Sequence, residues 1–303
     1  MRLLDAKAIT AALTPGLAAD ILEAELHAGL DPEADPPRAS VPAQTGELLL
    51  MPSTAGAVGV KLATVAPGNP ARGLPRIQGS YVLFDAETLA PVAVLDAAAL
   101  TALRTAAVSA LALRFLAAPG ASRLLVWGTG PQAWAHVEAV RGERPIGRVD
   151  VAGRDRARLA AFLERCHEAG LVAQAAGPDA VRLADVVCCC TTAREPLFDG
   201  AWVAPHATVV AVGSHEPTAR ELDERLVGRS WVVVEALSAA LREAGDVVAA
   251  IAAATTTADA LVPLAALVRG EALPPEGSPR VFKSVGMAWE DAALAAALVD
   301  RTV

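Results

Sequence analysis

The chain has few of the features that would give it an easy chemical assignment. Its four cysteines are Cys166 and the adjacent Cys188, Cys189 and Cys190. That pattern is neither a disulfide framework nor a C-x-x-C metal site. In the run Val186 to Thr192, three consecutive cysteines read as small hydrophobes of a buried strand. His136 falls inside a helical stretch, and His167 and His206 lack ligand spacing to other His, Cys or carboxylate residues, so no metal is expected. No G-x-S-x-G elbow occurs, Ser214 and His215 are adjacent, and Ser109 and Ser284 have no supporting context, which excludes a Ser-His-Asp hydrolase.

Clustered positive charge is also missing. The 26 basic residues are scattered among 34 acidic ones, giving a net charge of −8, whereas phosphate backbones reward Lys and Arg concentrated on one face. A nucleic-acid partner is therefore not expected. The first residues, Met1 to Lys7, form no continuous apolar segment, and no later stretch is an uninterrupted apolar run of membrane length. The expectation is a soluble cytoplasmic protein without a membrane partner. Internal repeats are absent, and the Pro-rich loop at 273–279 is too short to be a domain linker.

What is present is a large apolar budget and one informative motif. With 303 residues, 53% of them hydrophobic, the chain can build two domains. Leu124 to Val140 reads as a buried strand, a glycine turn and a helix. Gly128 and Gly130, flanking Thr129, supply a turn with positive φ and a backbone lacking Cβ atoms near a ligand. Pro131 suits the first turn of a helix, and the amides of that helix end, including Gln132, face a pyrophosphate. Ala133 stands at the third glycine position of G-x-G-x-x-G/A, small enough for close helix-strand contact. This is a dinucleotide-binding signature.

The following strand says which dinucleotide. It ends in Gly153-Arg154-Asp155, about where NAD enzymes place an acid on the ribose 2′-hydroxyl. Arg154 can stack on adenine and pair with a 2′-phosphate, and Arg158 adds a second cation one helical turn on. NADP(H) is favoured. NAD(H) stays open, because a shift of one or two residues would bring Asp155 to the ribose.

The rest of the chain divides by pattern. Residues 5–30 show helical spacing, with Pro15 and Gly16 marking a break between two helices. Strand-like runs at 46–51, 57–65, 79–85 and 91–95 form an antiparallel region, and a helix over 100–117 ends at Pro119-Gly120. From Arg123, strands at 123–127, 148–152, 171–175, 184–190, 207–212 and 231–235 alternate with helices at 132–141, 155–168, 178–182, 218–227 and 238–252. Such alternation implies a parallel sheet covered on both faces. Strand 281–284 and helix 288–299 close the chain. The fold class expected is α/β, a Rossmann-type doubly wound sheet in 118–282 plus an α+β domain in 1–117 to which 283–303 return.

The chain resembles the ornithine cyclodeaminase/mu-crystallin family over most of its length. The residues that carry the likeness are Gly59-Val-Lys61-Leu, Pro67-Gly-Asn69-Pro, Gly73-Leu-Pro75, Leu100 to Ala107, Trp127 to Ala133, Val212-Gly-Ser-His-Glu-Pro217, Arg220-Glu-Leu-Asp223 and Val281 to Gly286 followed by Asp291. The resemblance implies a homodimeric enzyme, paired through its first domain with the Rossmann domains outward, holding NAD(H) or NADP(H). It implies Arg38, Lys61 and Arg104 as substrate residues, and Thr105, Thr191, Val212, Ser214, Ser284 and Gly286 as cofactor contacts beside the glycine motif. An α-imino or α-amino acid offers a carboxylate that arginines hold bidentately and a C=N or C–N centre that a lysine tunes. Lys61 also sits in an apolar run, where an unpartnered ammonium is costly to bury.

One departure matters. Where the family's cyclodeaminases carry an aspartate, this sequence has His215, which cannot replace a fixed negative charge. The resemblance then points to NADP(H)-dependent hydride transfer on a small imino or amino acid, of the ketimine or cyclic imino acid reductase type, with Lys61 and His215 as the catalytic candidates. Conversion of L-ornithine to proline and ammonia with NAD is the runner-up, and a non-catalytic nucleotide or small-molecule binder comes third.

Overall fold

The computed structural model describes Met1 to Thr302, which form two compact units. The first comprises Met1–Val108 and Met287–Val303, and the second Ser109–Gly286. The chain opens with β1 (Arg2–Leu4), α1 (Ala6–Ala12), α2 (Pro15–His27), β2 (Ala39–Ala43), β3 (Gly46–Ser53), β4 (Val58–Val65), β5 (Ile77–Phe84), β6 (Pro91–Asp96) and α3 (Ala97–Leu116). The expected break between two helices is present at Leu13-Thr14, and Pro15 starts the second of them. It is the first residue of α2, whose end is capped by the Thr14 hydroxyl accepting from the Leu17 amide at 3.3 Å. Ala18, Ala19, Leu22 and Leu26 recur at helical spacing and form its buried face.

The six strands pair in the order β1-β6-β5-β4-β3-β2. All neighbours are antiparallel except β1, which joins β6 in parallel, a strand absent from the sequence expectation. The edge strand β2 was missed as well, because Pro42 and a fully exposed pattern leave it no apolar alternation. By length and hydropathy α3 could cross a bilayer, yet most of it is buried in the protein interior. The boundary between units falls within this helix, ahead of the expected 117/118.

The second unit continues with β7 (Arg123–Trp127), α4 (Pro131–Glu143), β8 (Arg148–Ala152), α5 (Arg156–Glu168), β9 (Val172–Ala175), β10 (Val186–Cys189), β11 (Thr208–Ala211), α6 (Glu224–Arg229), β12 (Trp231–Val234), α7 (Leu237–Glu243), α8 (Gly245–Ala252), β13 (Leu261–Pro263), α9 (Leu264–Val268) and β14 (Arg280–Lys283). Its eight strands are all parallel, in the order β13-β12-β14-β11-β10-β7-β8-β9. This is the doubly wound α/β sheet. Strand order reverses between β7 and β10, and ligands of such sheets bind outside the carboxyl ends at that point.

Several elements differ from the sequence pattern for identifiable reasons. Residues 218–223 are not helical: Asp223 caps a helix that begins only at Glu224, its side chain accepting from the Leu226 amide. The stretch 238–252 splits into α7 and α8 at Gly245, where a Cβ would lie 2.0 Å from the Ala219 carbonyl oxygen. The short pair β13 and α9 gave no periodicity long enough to read. Residues 178–183 form a 3₁₀ turn. The closing helix, α10 (Ala288–Arg301), returns to the first unit, where it packs across β3, β4 and β5 and against α2. The strand before it does not return, since β14 sits in the middle of the parallel sheet.

Candidate active site

In the first unit, strand alternation selects the reactive side chain. Along β4, Gly59, Lys61, Ala63 and Val65 are buried while Leu62 and Thr64 are exposed, so a period of two puts Lys61 on the side covered by α10. Lys61 is 2% exposed, and its Nζ donates to Asp291 Oδ2 at 2.7 Å and to Thr101 Oγ1 at 3.2 Å. Beside it, Arg104 Nη1 donates to Glu290 Oε2 at 3.0 Å, and Arg104 Nε lies 3.7 Å from Asp291 Oδ1. Burial pulls the Lys61 ammonium down to about 8, against the opposing pull of Asp291 and with help from the Arg104 and Arg38 guanidiniums. Arg38, half-buried just before β2, is thus close enough to act on Lys61.

Three of the sequence-derived substrate residues are therefore brought together, with two carboxylates from the first turn of α10. Lys61, Arg104 and Arg38 thus share one neighbourhood with Glu290 and Asp291, and guanidiniums are the groups that hold a carboxylate bidentately. Asp35, the next acid, is committed to the Ser53 hydroxyl and the Thr54 and Ala55 amides. Tyr81 stands opposite Lys61 on β5, its ring lying across Gly59, where any Cβ would strike the phenol oxygen. Burial raises the Tyr81 phenol, and the Asp291 and Asp35 carboxylates raise it further. Its hydroxyl has no hydrogen-bond partner among the described residues. Thr105, named as a cofactor contact, belongs to this unit, with its hydroxyl donating to the Thr101 carbonyl at 2.8 Å.

In the second unit, the strand register collects the cofactor candidates. Trp127, Cys189, Ala211 and Lys283 are level across the sheet, so the residues that leave it, Gly128, Cys190, Val212 and Ser284, form one row at the carboxyl edge. Gly128 has φ +109°, and a Cβ there would meet the Cys190 carbonyl oxygen at 2.5 Å. Around Gly130, by contrast, the space a Cβ would take is open, and no side chain caps α4. Thr129 packs on Gly153, whose Cβ would lie 2.8 Å from the Thr129 methyl, and Ala133 is fully buried under the turn. Gln132 is half-buried in the same first helical turn. An uncapped helix end behind a turn with no Cβ at Gly128 or Gly130 is what a pyrophosphate requires, so these residues fit a dinucleotide.

At the end of β8, Asp155 is the cap of α5, its Oδ1 accepting from the Ala157 and Arg158 amides, both at 3.0 Å. Arg154 and Arg158 are exposed, and Arg158 Nε lies 3.8 Å from Asp155 Oδ2. His215 is half-buried in the loop after β11, following the buried Ser214, whose hydroxyl donates to the Ala219 carbonyl.

Sequence reasoning missed the acids behind both halves. Glu235 accepts from the Ser284 hydroxyl at 2.6 Å and from the Val285 and Gly286 amides at 2.8 Å, fixing the turn in which Gly286 has φ +83°. Glu221 and Asp246, 0% and 1% exposed, accept backbone amides of neighbouring loops. Asp246 also lies 3.0 Å from Lys283 Nζ. Glu290 and Asp291 are both fully buried. The available signal was their setting, since two adjacent acids opening the otherwise apolar run Ala292 to Val299 have no solvent-facing rationale.

Comparison with known proteins gives the family and the fold. The family model described as ornithine cyclodeaminase/mu-crystallin matches residues 5–303. Ketimine reductase mu-crystallin of Rattus norvegicus is 35% identical over 258 residues, 84% of this chain and 80% of that protein. Delta(1)-pyrroline-2-carboxylate reductase 1 of Burkholderia multivorans is 38% identical over 265 residues, covering 85% of this chain and 82% of that one. The structure of Thermococcus litoralis Delta(1)-pyrroline-2-carboxylate reductase in complex with NADH and L-proline has a TM-score of 0.94, with 28% identity over 100% of this chain and 97% of the other.

Proposed function

Because the chain belongs to the ornithine cyclodeaminase/mu-crystallin family, as one of its oxidoreductases, we propose that it reduces the C=N bond of a small α-imino acid, cyclic or acyclic, with NADPH preferred to NADH. The observation that carries this reading is the buried Lys61, held near neutrality among Arg38, Arg104, Glu290 and Asp291. Gly213 and Ser214 would hold the nicotinamide of a bound NADPH, which would supply the hydride taken up by the imine carbon. Arg38 and Arg104 hold the substrate carboxylate, which a guanidinium meets with two parallel N–H donors. Lys61 supplies the proton taken up by nitrogen, a role for which a pKa of about 8 suits an acid working near pH 7. Asp291 keeps the ammonium oriented and charged until that transfer.

Preference for NADPH rests on Asp155 being occupied by the α5 amides while Arg154 and Arg158 stand exposed to meet a 2′-phosphate. His215 in place of a carboxylate argues for reduction over cyclodeamination. Assembly as a homodimer through the first unit's sheet is part of the proposal. The strand faces opposite Lys61 carry Val58, Val60, Leu62, Val82 and Val94, none of them fully buried.

The test pairs two vessels. Pyrroline-2-carboxylate or piperideine-2-carboxylate with NADPH should show oxidation of the cofactor, and L-ornithine with NAD should yield neither proline nor ammonia. The reverse result would return the chain to the cyclodeaminases, with His215 in the aspartate's role. Light scattering at micromolar concentration checks the dimer, which a monomeric mass would refute.

A further inference from the structure

Three loops leave the carboxyl edge of the parallel sheet side by side, after β10, β11 and β14, and none has secondary structure of its own at its root. One carboxylate joins the first two, while Glu235 holds the third. Glu221 Oε1 accepts from the Thr191 amide at 2.8 Å and the Thr191 hydroxyl at 2.7 Å, and its Oε2 accepts from the Gly213 amide at 2.8 Å. The fit is close: a Cβ on Gly213 would lie 2.5 Å from Glu221 Oε1 and 2.1 Å from the Thr191 carbonyl oxygen. Glu221 is itself held from behind, because Asp246 Oδ1 accepts from the Glu221 and Leu222 amides at 2.7 and 2.8 Å. Lys283 closes the circuit from β14, donating to the Ser214 carbonyl at 2.7 Å and lying 3.0 Å from Asp246 Oδ2.

We infer that Glu221 is the positioning residue of the nicotinamide half of the cofactor site, a carboxylate clamp that fixes the Thr191 and Gly213-Ser214 backbones against which the ring is placed. This rests on the reading of the site as a nicotinamide site. The chemistry needs a carboxylate specifically. Both oxygens face N–H or O–H donors, so a glutamine would turn an NH₂ group toward a donor and break one side of the clamp. Burial raises the proton affinity of Glu221, Asp246 adds to that, and Lys283 opposes both, which explains a lysine in the interior of this unit. The adenosine half is lined by Gly128 to Gly130 and Gly153-Arg154, which share no hydrogen bond with Glu221 and meet its loop only where Gly128 packs on the Cys190 carbonyl and the Thr191 methyl.

That separation gives the test. Affinities of NADPH and of 2′,5′-ADP, which lacks the nicotinamide, are measured by titration calorimetry on the wild type and on Glu221→Gln. The inference expects NADPH to weaken about 10- to 100-fold, the loss of a charge-assisted hydrogen bond, with 2′,5′-ADP unchanged within about twofold. Equal weakening of both ligands, or of neither, would overturn the clamp. If Glu221→Gln does not fold, Glu221→Asp keeps the charge but is one methylene short, and the same NADPH-selective loss is expected of it. A wild type that binds neither ligand would instead sink the cofactor reading beneath the inference.

Discussion

Each unit buries acids and a lysine, yet the two clusters are wired differently. In the first, Glu290 and Asp291 face side-chain cations, Lys61 and Arg104, with Arg38 in range. In the second, Glu221, Glu235 and Asp246 face mainly backbone amides and hydroxyls, with Lys283 as the one close cation. Bonds to backbone amides lock loops in place and have no partner to exchange. A cluster of ionised side chains can exchange partners with a ligand carboxylate and pass on a proton, which is the role proposed for it. The contrast separates a part that reacts from a part that keeps its shape.

The largest effect should come from breaking the reactive cluster. Lys61→Met is expected to lower kcat/KM about 10²- to 10⁴-fold in the imine-reduction assay, the range of a lost general acid, while NADPH affinity stays unchanged. A variant with near wild-type turnover would move the proton donor elsewhere. Next, Asp291→Ala leaves the Lys61 ammonium buried without its 2.7 Å partner, and urea unfolding should show a loss of about 3 to 5 kcal/mol. Removing Lys61 as well should recover much of that loss, so additivity of the two changes would contradict the pairing.

Arg154→Ser tests the exposed rim of the shape-keeping part. NADPH binding should weaken by about 1.5 to 3 kcal/mol with NADH binding unchanged, read by fluorescence titration. Equal losses for both cofactors would return Asp155 to the ribose. The pH profile sharpens the comparison further. With its pKa held at about 8, Lys61 is protonated below that pH, so kcat/KM for reduction should be flat toward neutrality and fall about tenfold per unit above pH 8. A fall beginning only near the ordinary lysine range would show that burial does not act on Lys61 as described. The smallest expected change is Tyr81→Phe, which deletes a buried hydroxyl without a partner and should raise stability by about 1 kcal/mol.

The pieces legible from the sequence are those whose cause is local. Gly128 takes a positive φ that other residues rarely adopt, whereas the same expectation fails at Gly130, whose φ is −90°, and Lys61 is conspicuous because its own strand is apolar. The acids were hidden for the opposite reason. Glu221 sits in Arg220-Glu-Leu-Asp-Glu-Arg225, which reads as an exposed helix start, and only the folded chain shows its carboxylate turned inward to Thr191 and Gly213. The same inward turn is why the helix expected from 218 begins at Glu224. Likewise, Asp246 required the break at Gly245 to reach the Glu221 amide.

The counter-ions of Lys61 and Arg104 lie far along the chain, Asp291 230 residues after the first and Glu290 186 after the second. The second unit is inserted between them, with a contiguous chain segment and a sheet of its own. During synthesis the parallel sheet can therefore close while the first unit still waits for its last helix. Until α10 docks, the interior of that unit holds ammonium and guanidinium groups without their carboxylates, a state that favours keeping it open and hydrated. Arrival of Glu290 and Asp291 supplies those carboxylates, so the charge cluster is complete only once the end of the chain has docked.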